Sequence, residues 1–126
     1  MAKITYPTIP NQGKMSEFIG AFDVPSKVTD QVYHCLFSHC WNGIATRHSD
    51  TIDAKFVVDG KRIILGLAHP AFVTFRDRTG RDLTDREASY IAAQYLRERL
   101  EQEDEHELYD VSAADVLRII DTLGIH

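Results

Sequence analysis

The clearest alternation of apolar and polar positions surrounds Asp59-Gly60. Asp-Gly is favoured at the centre of a type I′ turn, where both residues take positive φ. With Val58 and Lys61 flanking the turn, Phe56 faces Ile63, Ala54 faces Leu65 and Ile52 faces Leu67, all on one side of a ribbon. The other side carries Asp53, Lys55, Val57, Arg62, Ile64 and Gly66. A slip of one residue would scramble this division, so turn chemistry and pattern select the same register. An isolated ribbon is marginal in water, so helices are expected to cover its apolar face. Residues 43–48 are a candidate third strand beside 52–58.

Upstream, 26–41 sets propensity against period. Val, Tyr, Phe and Trp favour strand. Yet Val28, Val32, Tyr33, Leu36, Phe37, Cys40 and Trp41 fall on one helical face, with Lys27, Asp30, Gln31, His34 and Ser38 on the other. A regular strand would mix the two classes on both faces. Ser26 suits an N-cap and Asn42-Gly43 a stop, so the pattern predicts a helix over 26–41. Before it, Ile4 and Tyr6 alternate as an edge strand would, while Pro7 and Pro10 bar a central one. Residues 16–21 are compatible with a short helix.

The C-terminal half is punctuated as helices. His69-Pro70 begins one over 70–79, where Phe72 and Phe75 share a face and Gly80 suits the stop, although alternation at Val73-Thr74-Phe75 keeps a strand open. Thr84-Asp85-Arg86-Glu87 is a capping box opening a helix over 85–102, with a stripe of Ala88, Ile91, Ala92, Tyr95, Leu96 and Leu100. Ser112, followed by Asp115, caps a last helix over 113–123 that ends at Gly124. The expected fold is α+β: a small antiparallel sheet of two to four strands, with its central hairpin over 52–67, packed against about four helices (26–41, 70–79, 85–102 and 113–123).

Composition adds bounds to this outline. The chain has 126 residues, 44% hydrophobic and 26% charged, which is expected to form one globular domain over 1–126 with a core of its own. A formal charge of −5 argues against non-specific binding to DNA or anionic membranes. No apolar run is long enough to span a bilayer, and 1–14 lacks the apolar core of a secretory signal. Cys35 and Cys40 are too few for a disulfide framework, so a reducing, cytoplasmic setting is expected.

Candidate chemistry is sparse. His34, Cys35, His39 and Cys40 offer the donors of a zinc site, but one helix cannot converge four ligands at this spacing. Cys35 and His39, four apart, would be helical neighbours and form a candidate thiol–imidazole pair; a buried cysteine beside a flank histidine is the blander reading. His48 and His69, at the ends of the predicted sheet, are candidate ligand-binding residues. No metal site or cofactor is expected from motif spacing. Arg76, Arg78, Arg81 and Arg86 would suit a phosphate, but Asp77, Asp82 and Asp85 are interleaved with them. The acidic run from Glu101 to Glu107 lacks the ligand spacing of a calcium loop and reads as a solvated loop. The string Leu83-Thr84-Asp85-Arg86-Glu87 is similar to the opening of some helix-turn-helix regulators, but 112–124 offers Arg118 as its one strong base against Asp115 and Asp121.

These observations favour a non-enzymatic interaction or assembly module, with a homo-oligomer or another protein as partner. The alternative is a ligand-binding protein or enzyme with a Cys/His-containing pocket between sheet and helices. Nucleic acid and membrane are disfavoured as partners.

Overall fold

The structure, a computed structural model, describes residues 17–43 and 50–126. Five strands form one sheet in the order β1-β2-β3-β4-β5: β1 Ala21–Pro25, β2 Val32–Asn42, β3 Thr51–Val58, β4 Lys61–Ala68 and β5 Leu108–Val111. The first four are an antiparallel meander, and β5 lies parallel to β4. Three helices, among the described residues, complete the fold: α1 His69–Thr79, α2 Asp85–Glu101 and α3 Ala113–Leu123. The expectation of a purely antiparallel sheet of two to four strands with about four helices is therefore corrected to a five-stranded mixed sheet with three.

The hairpin has the register read from the sequence: Val58 pairs with Lys61, Phe56 with Ile63, Ala54 with Leu65 and Ile52 with Leu67. Asp59 and Gly60 sit at φ 49° and 82°, as a type I′ turn demands. Asp59 also ties this turn to β2, its N–H donating to the His34 carbonyl at 3.0 Å and its carboxylate accepting from the His34 N–H at 3.0 Å.

The segment 26–41 is not helical. Residues 26–31 form a turn and β2 follows. Ser26 does cap: its hydroxyl accepts from the N–H groups of Val28 and Thr29 at 2.9 and 3.1 Å, but it holds the β1–β2 reversal rather than a helix. The pattern misled because β2 contains a bulge. Its register jumps between Phe37 and His39, leaving Ser38 as the extra residue. Before the bulge, Tyr33, Cys35 and Phe37 face the helices; after it, Cys40 does so. A parity break of one residue made a strand resemble a helical stripe. The suggested helix at 16–21 is also corrected: residues 17–20 are irregular and Ala21 opens β1. The proposed third strand at 43–48 falls largely outside the described residues, and the strand beside β3 is β2.

The helix punctuation holds downstream. Pro70 lies in the first turn of α1, and Gly80 closes it in the left-handed conformation. Thr84 and Glu87 form the capping box of α2. The Ser112 hydroxyl accepts from the Asp115 N–H at 3.1 Å at the start of α3. Within the acidic run, Glu103 takes φ 57° and its carboxylate accepts from Ser26 and Thr29 hydroxyls, both at 2.6 Å, so the end of α2 is fastened to the β1–β2 turn. The chain then re-enters the sheet as β5.

α2 and α3 pack on one face of the sheet, and α1 packs against α3. Phe56 sits at the centre of that face, edge-on to Phe22 and Phe37 at 6.0 and 5.5 Å between ring centroids. Val58, Ile63, Leu65 and Leu67 meet Ile91, Leu96 and Leu100 of α2 and Val116 and Ile119 of α3 in one continuous core.

Candidate functional site

The site grows from a mismatch in strand length. The last register partner of β1 is Ala21, opposite Leu36, whereas β2 runs on to Asn42. Upstream of Ala21 the chain leaves the sheet toward α2: the Gly20 carbonyl accepts from the Phe37 N–H at 3.4 Å, and the Ile19 N–H donates to the Ser89 hydroxyl at 3.2 Å. Ser89 is wholly buried and its own hydroxyl donates to the Arg86 carbonyl at 2.6 Å, so this crossing is firmly held. Among the described residues, the edge of β2 beyond Phe37 consequently borders a groove and not a strand.

Alternation of the ladder fixes which main-chain groups face that groove. His34 engages Asp59 on the β3 side, and Phe37 engages Gly20 on the β1 side. Ser38 and His39 share one ladder position opposite Lys55, so the outward position after Phe37 is Cys40. The Phe37 carbonyl and the Cys40 N–H and carbonyl thus turn into the groove.

The groove has a cavity of about 400 Å³ lined by Phe18, Ile19, Phe37, Ser38, His39, Cys40 and Asp85. Phe18 stacks on Phe37 at 5.4 Å with rings 10° from parallel, and the Arg86 guanidinium lies 5.5 Å from the outer Phe18 ring. Asp85 is the first residue of α2, and its carbonyl accepts a long contact from the Cys40 thiol at 4.0 Å. Among the described lining residues its carboxylate is the one formal charge. The lining therefore combines a stacked aromatic pair, the apolar Ile19 and one carboxylate.

Burial, reinforced by the Asp85 carboxylate, pushes the Cys40 thiol up to about 12. Cys35 is also pushed up to about 12, by burial first and then by Asp59 and Asp23. Both thiols stay protonated at neutral pH and neither has the low pKa of an activated nucleophile.

The predicted residues separate in space. Cys35 points into the core and is 3% exposed. His39 lies past the bulge at the Lys55 level of the opposite face, its Nδ1 2.8 Å from the Ser38 hydroxyl and its ring 4.8 Å from Trp41. The structure does not bring Cys35 and His39 together; it brings His39 to the groove beside Cys40. His69 opens α1, stacked on Phe72 at 6.2 Å and 3.8 Å from the Asp50 carboxylate, and does not line the groove. His48 lies outside the described residues. Among the described residues, no three His, Cys, Asp or Glu are placed to hold a metal ion.

The arginine cluster disperses as well. Arg81 clamps Glu87 with two hydrogen bonds of 2.9 and 2.8 Å and reaches the His126 carbonyl at 2.9 Å, Arg76 pairs with Asp82 at 3.6 Å, and Arg86 covers Phe18. Burial would raise the Glu87 carboxyl, but Arg81 and Thr84 hold it below its ordinary range.

Phe18, Cys40 and Asp85 were missed as site residues because they come from three separate segments. One local signal existed: two polar positions, Ser38-His39, separate Phe37 from Cys40, the spacing that a one-residue bulge produces between two core-facing residues. Comparison with family models, curated proteins and solved structures finds no match for the chain. No helix among the described residues is long and apolar enough to cross a membrane.

Proposed function

We propose that the protein is a non-enzymatic interaction module that takes up an extended segment of a partner protein along the β2 overhang. The observation that carries this reading is the coincidence of outward main-chain groups at Phe37 and Cys40 with an adjoining aromatic cavity. Strand addition uses these components: main-chain hydrogen bonds supply affinity, and a pocket beside the edge selects alternate side chains. The protonated thiols favour this over thiol chemistry. Charge selects the segment further. Asp85, with no lysine or arginine among the described lining residues, favours a segment that pairs an apolar side chain for the Phe18–Phe37 wall with a basic one for the carboxylate.

The test is titration of acetyl-Thr-Val-Thr-Lys-Thr amide, whose valine and lysine share one face of an added strand, into isotopically labelled protein, followed by amide shifts and hydrogen exchange. Binding should protect the Cys40 amide and shift Phe18, Phe37 and Asp85. N-methylation at the ladder positions of the peptide should weaken binding about tenfold, the loss expected for two ordinary hydrogen bonds. Replacing its lysine by glutamate should weaken it as well. Equal binding of the N-methylated peptide, or absence of Cys40 protection at saturation, refutes strand addition.

A further inference from the structure

The groove along β2 is closed at one end. The Phe37 N–H already donates to the Gly20 carbonyl at 3.4 Å, and from Ala21, opposite Leu36, β1 occupies the β2 edge. Phe18 stacks on Phe37 at 5.4 Å at this same end. A segment added along the overhang therefore meets occupied backbone at the Phe37 level and extends only toward Cys40 and Asn42. A mid-chain segment would have to turn out of the sheet plane at its first ladder position. A chain terminus needs no such turn.

Main-chain geometry and charge select the same terminus. β2 runs from Phe37 toward Cys40, so a parallel segment sets its N-terminal end against Gly20 and an antiparallel one its C-terminal end. An antiparallel residue opposite Phe37 would exchange two hydrogen bonds with it, but the Phe37 N–H is already engaged by Gly20. A parallel residue instead donates to the carbonyl before its ladder position and accepts from the N–H after it. With Ser38 and His39 sharing one position, those groups are the Phe37 carbonyl and the Cys40 N–H, both turned into the groove. Charge agrees. A terminal carboxylate would face Asp85, with no lysine or arginine among the described lining residues to meet it. Arg86 stands beyond the outer Phe18 ring and is not on the lining. A terminal ammonium has the sign that Asp85 attracts, and this carboxylate acts within the groove: after burial, it is what raises the pKa of the Cys40 thiol.

We infer that the groove receives the free N-terminus of a partner protein, with the α-ammonium at the closed Phe37 end and the first residues running parallel to β2. The inference rests on the strand-addition reading and names the partner's chemistry: an unacetylated terminus with an apolar second residue. That second residue stands opposite Cys40, so its side chain enters the cavity beside the Phe18–Phe37 pair.

The experiment compares Thr-Val-Thr-Thr-Thr amide carrying a free amine, the same peptide N-acetylated, and its des-amino analogue, which loses the charge without added bulk. Affinities are read from amide-shift titrations of the labelled full chain at low salt. The free-amine peptide should bind about tenfold more tightly than the other two. Asp85→Asn should remove that advantage; Asp85 lies outside the Thr84–Glu87 capping box, which the variant retains. A nitroxide at the C-terminal end of the peptide should broaden the Asn42 amide more than that of Gly20. Equal affinity of all three peptides for the wild type, with the Cys40 amide protected, overturns the inference and leaves strand addition intact. The reverse nitroxide pattern overturns it too, as does tighter binding of a des-amino peptide ending in a free carboxylate. Absence of Cys40 protection with every peptide removes strand addition itself and the inference with it.

Discussion

Tyr109 shows how far one side chain of β5 organises its surroundings. Its hydroxyl donates to the Asp104 carbonyl at 2.7 Å and accepts from the His106 N–H at 3.0 Å, closing the loop between α2 and β5. Burial pushes its pKa up to about 12; the His106 N–H opposes this, and Asp104 and Glu105 add to it. The folded state therefore holds the phenol proton more tightly than the unfolded chain, whose tyrosine titrates near 10. The resulting stabilisation is fully present below pH 10 and is lost as pH rises from about 10 through about 12. Alkaline denaturation should show a steeper fall in this window for the wild type than for Tyr109→Phe. At pH 7 that variant should cost about 1 kcal/mol for its lost hydrogen bonds. Equal pH slopes in the two proteins would refute the assignment. The sequence could not show any of this, because an acidic run ending in Glu107-Leu108-Tyr109 gives no sign that the tyrosine turns back onto its own loop.

At the scale of elements, β2 separates what periodicity reveals from what it conceals. Propensity at Val32, Tyr33, Phe37 and Trp41 favoured a strand, whereas the 3.6-residue pattern favoured a helix, and propensity was the better guide. The bulge explains the contest and yields a prediction. Removing Ser38 leaves Tyr33, Cys35, Phe37 and Cys40 on the core face and His39 and Trp41 outside, so the deletion should fold with a regular ladder and little loss of stability. Removing Leu36 shifts parity within the β1–β2–β3 ladder and forces core and outer residues to exchange faces, so that deletion should not fold. Circular dichroism and urea titration of the two proteins would distinguish them; similar outcomes for both would refute the role of the bulge. The hairpin and the caps at Thr84 and Ser112 were legible because each rests on residues a few positions apart. The groove was not, because Phe18, Cys40 and Asp85 meet only after β1 has ended short of β2.

Among the described residues, the helices α1, α2 and α3 lie on one side of one sheet, and the core is shared by both. Phe56 touches Phe22 and Phe37 across three strands and is wholly buried. Phe56→Ala should lower stability by about 3–5 kcal/mol. Helix and sheet signals should then disappear in a single transition, because no helix has a core apart from the sheet. Separate transitions for the helical signal and for the aromatic signal around Trp41 would contradict a shared core.

Sequence alone determined the local commitments of this protein: the Asp59-Gly60 turn and its register, the starts and stops of three helices, and an apolar hairpin face requiring cover. Each follows from backbone conformation or from hydrogen bonds between near neighbours. Tertiary structure decided the rest. It turned 32–42 into a bulged strand, returned the chain after the acidic run as a parallel fifth strand, separated Cys35 from His39, and placed His39 and Cys40 beside Phe18 and Asp85. The physical reason is that strand pairing and groove formation depend on residues far apart in the chain. One extra residue in a ladder reverses which faces of the strand carry its core.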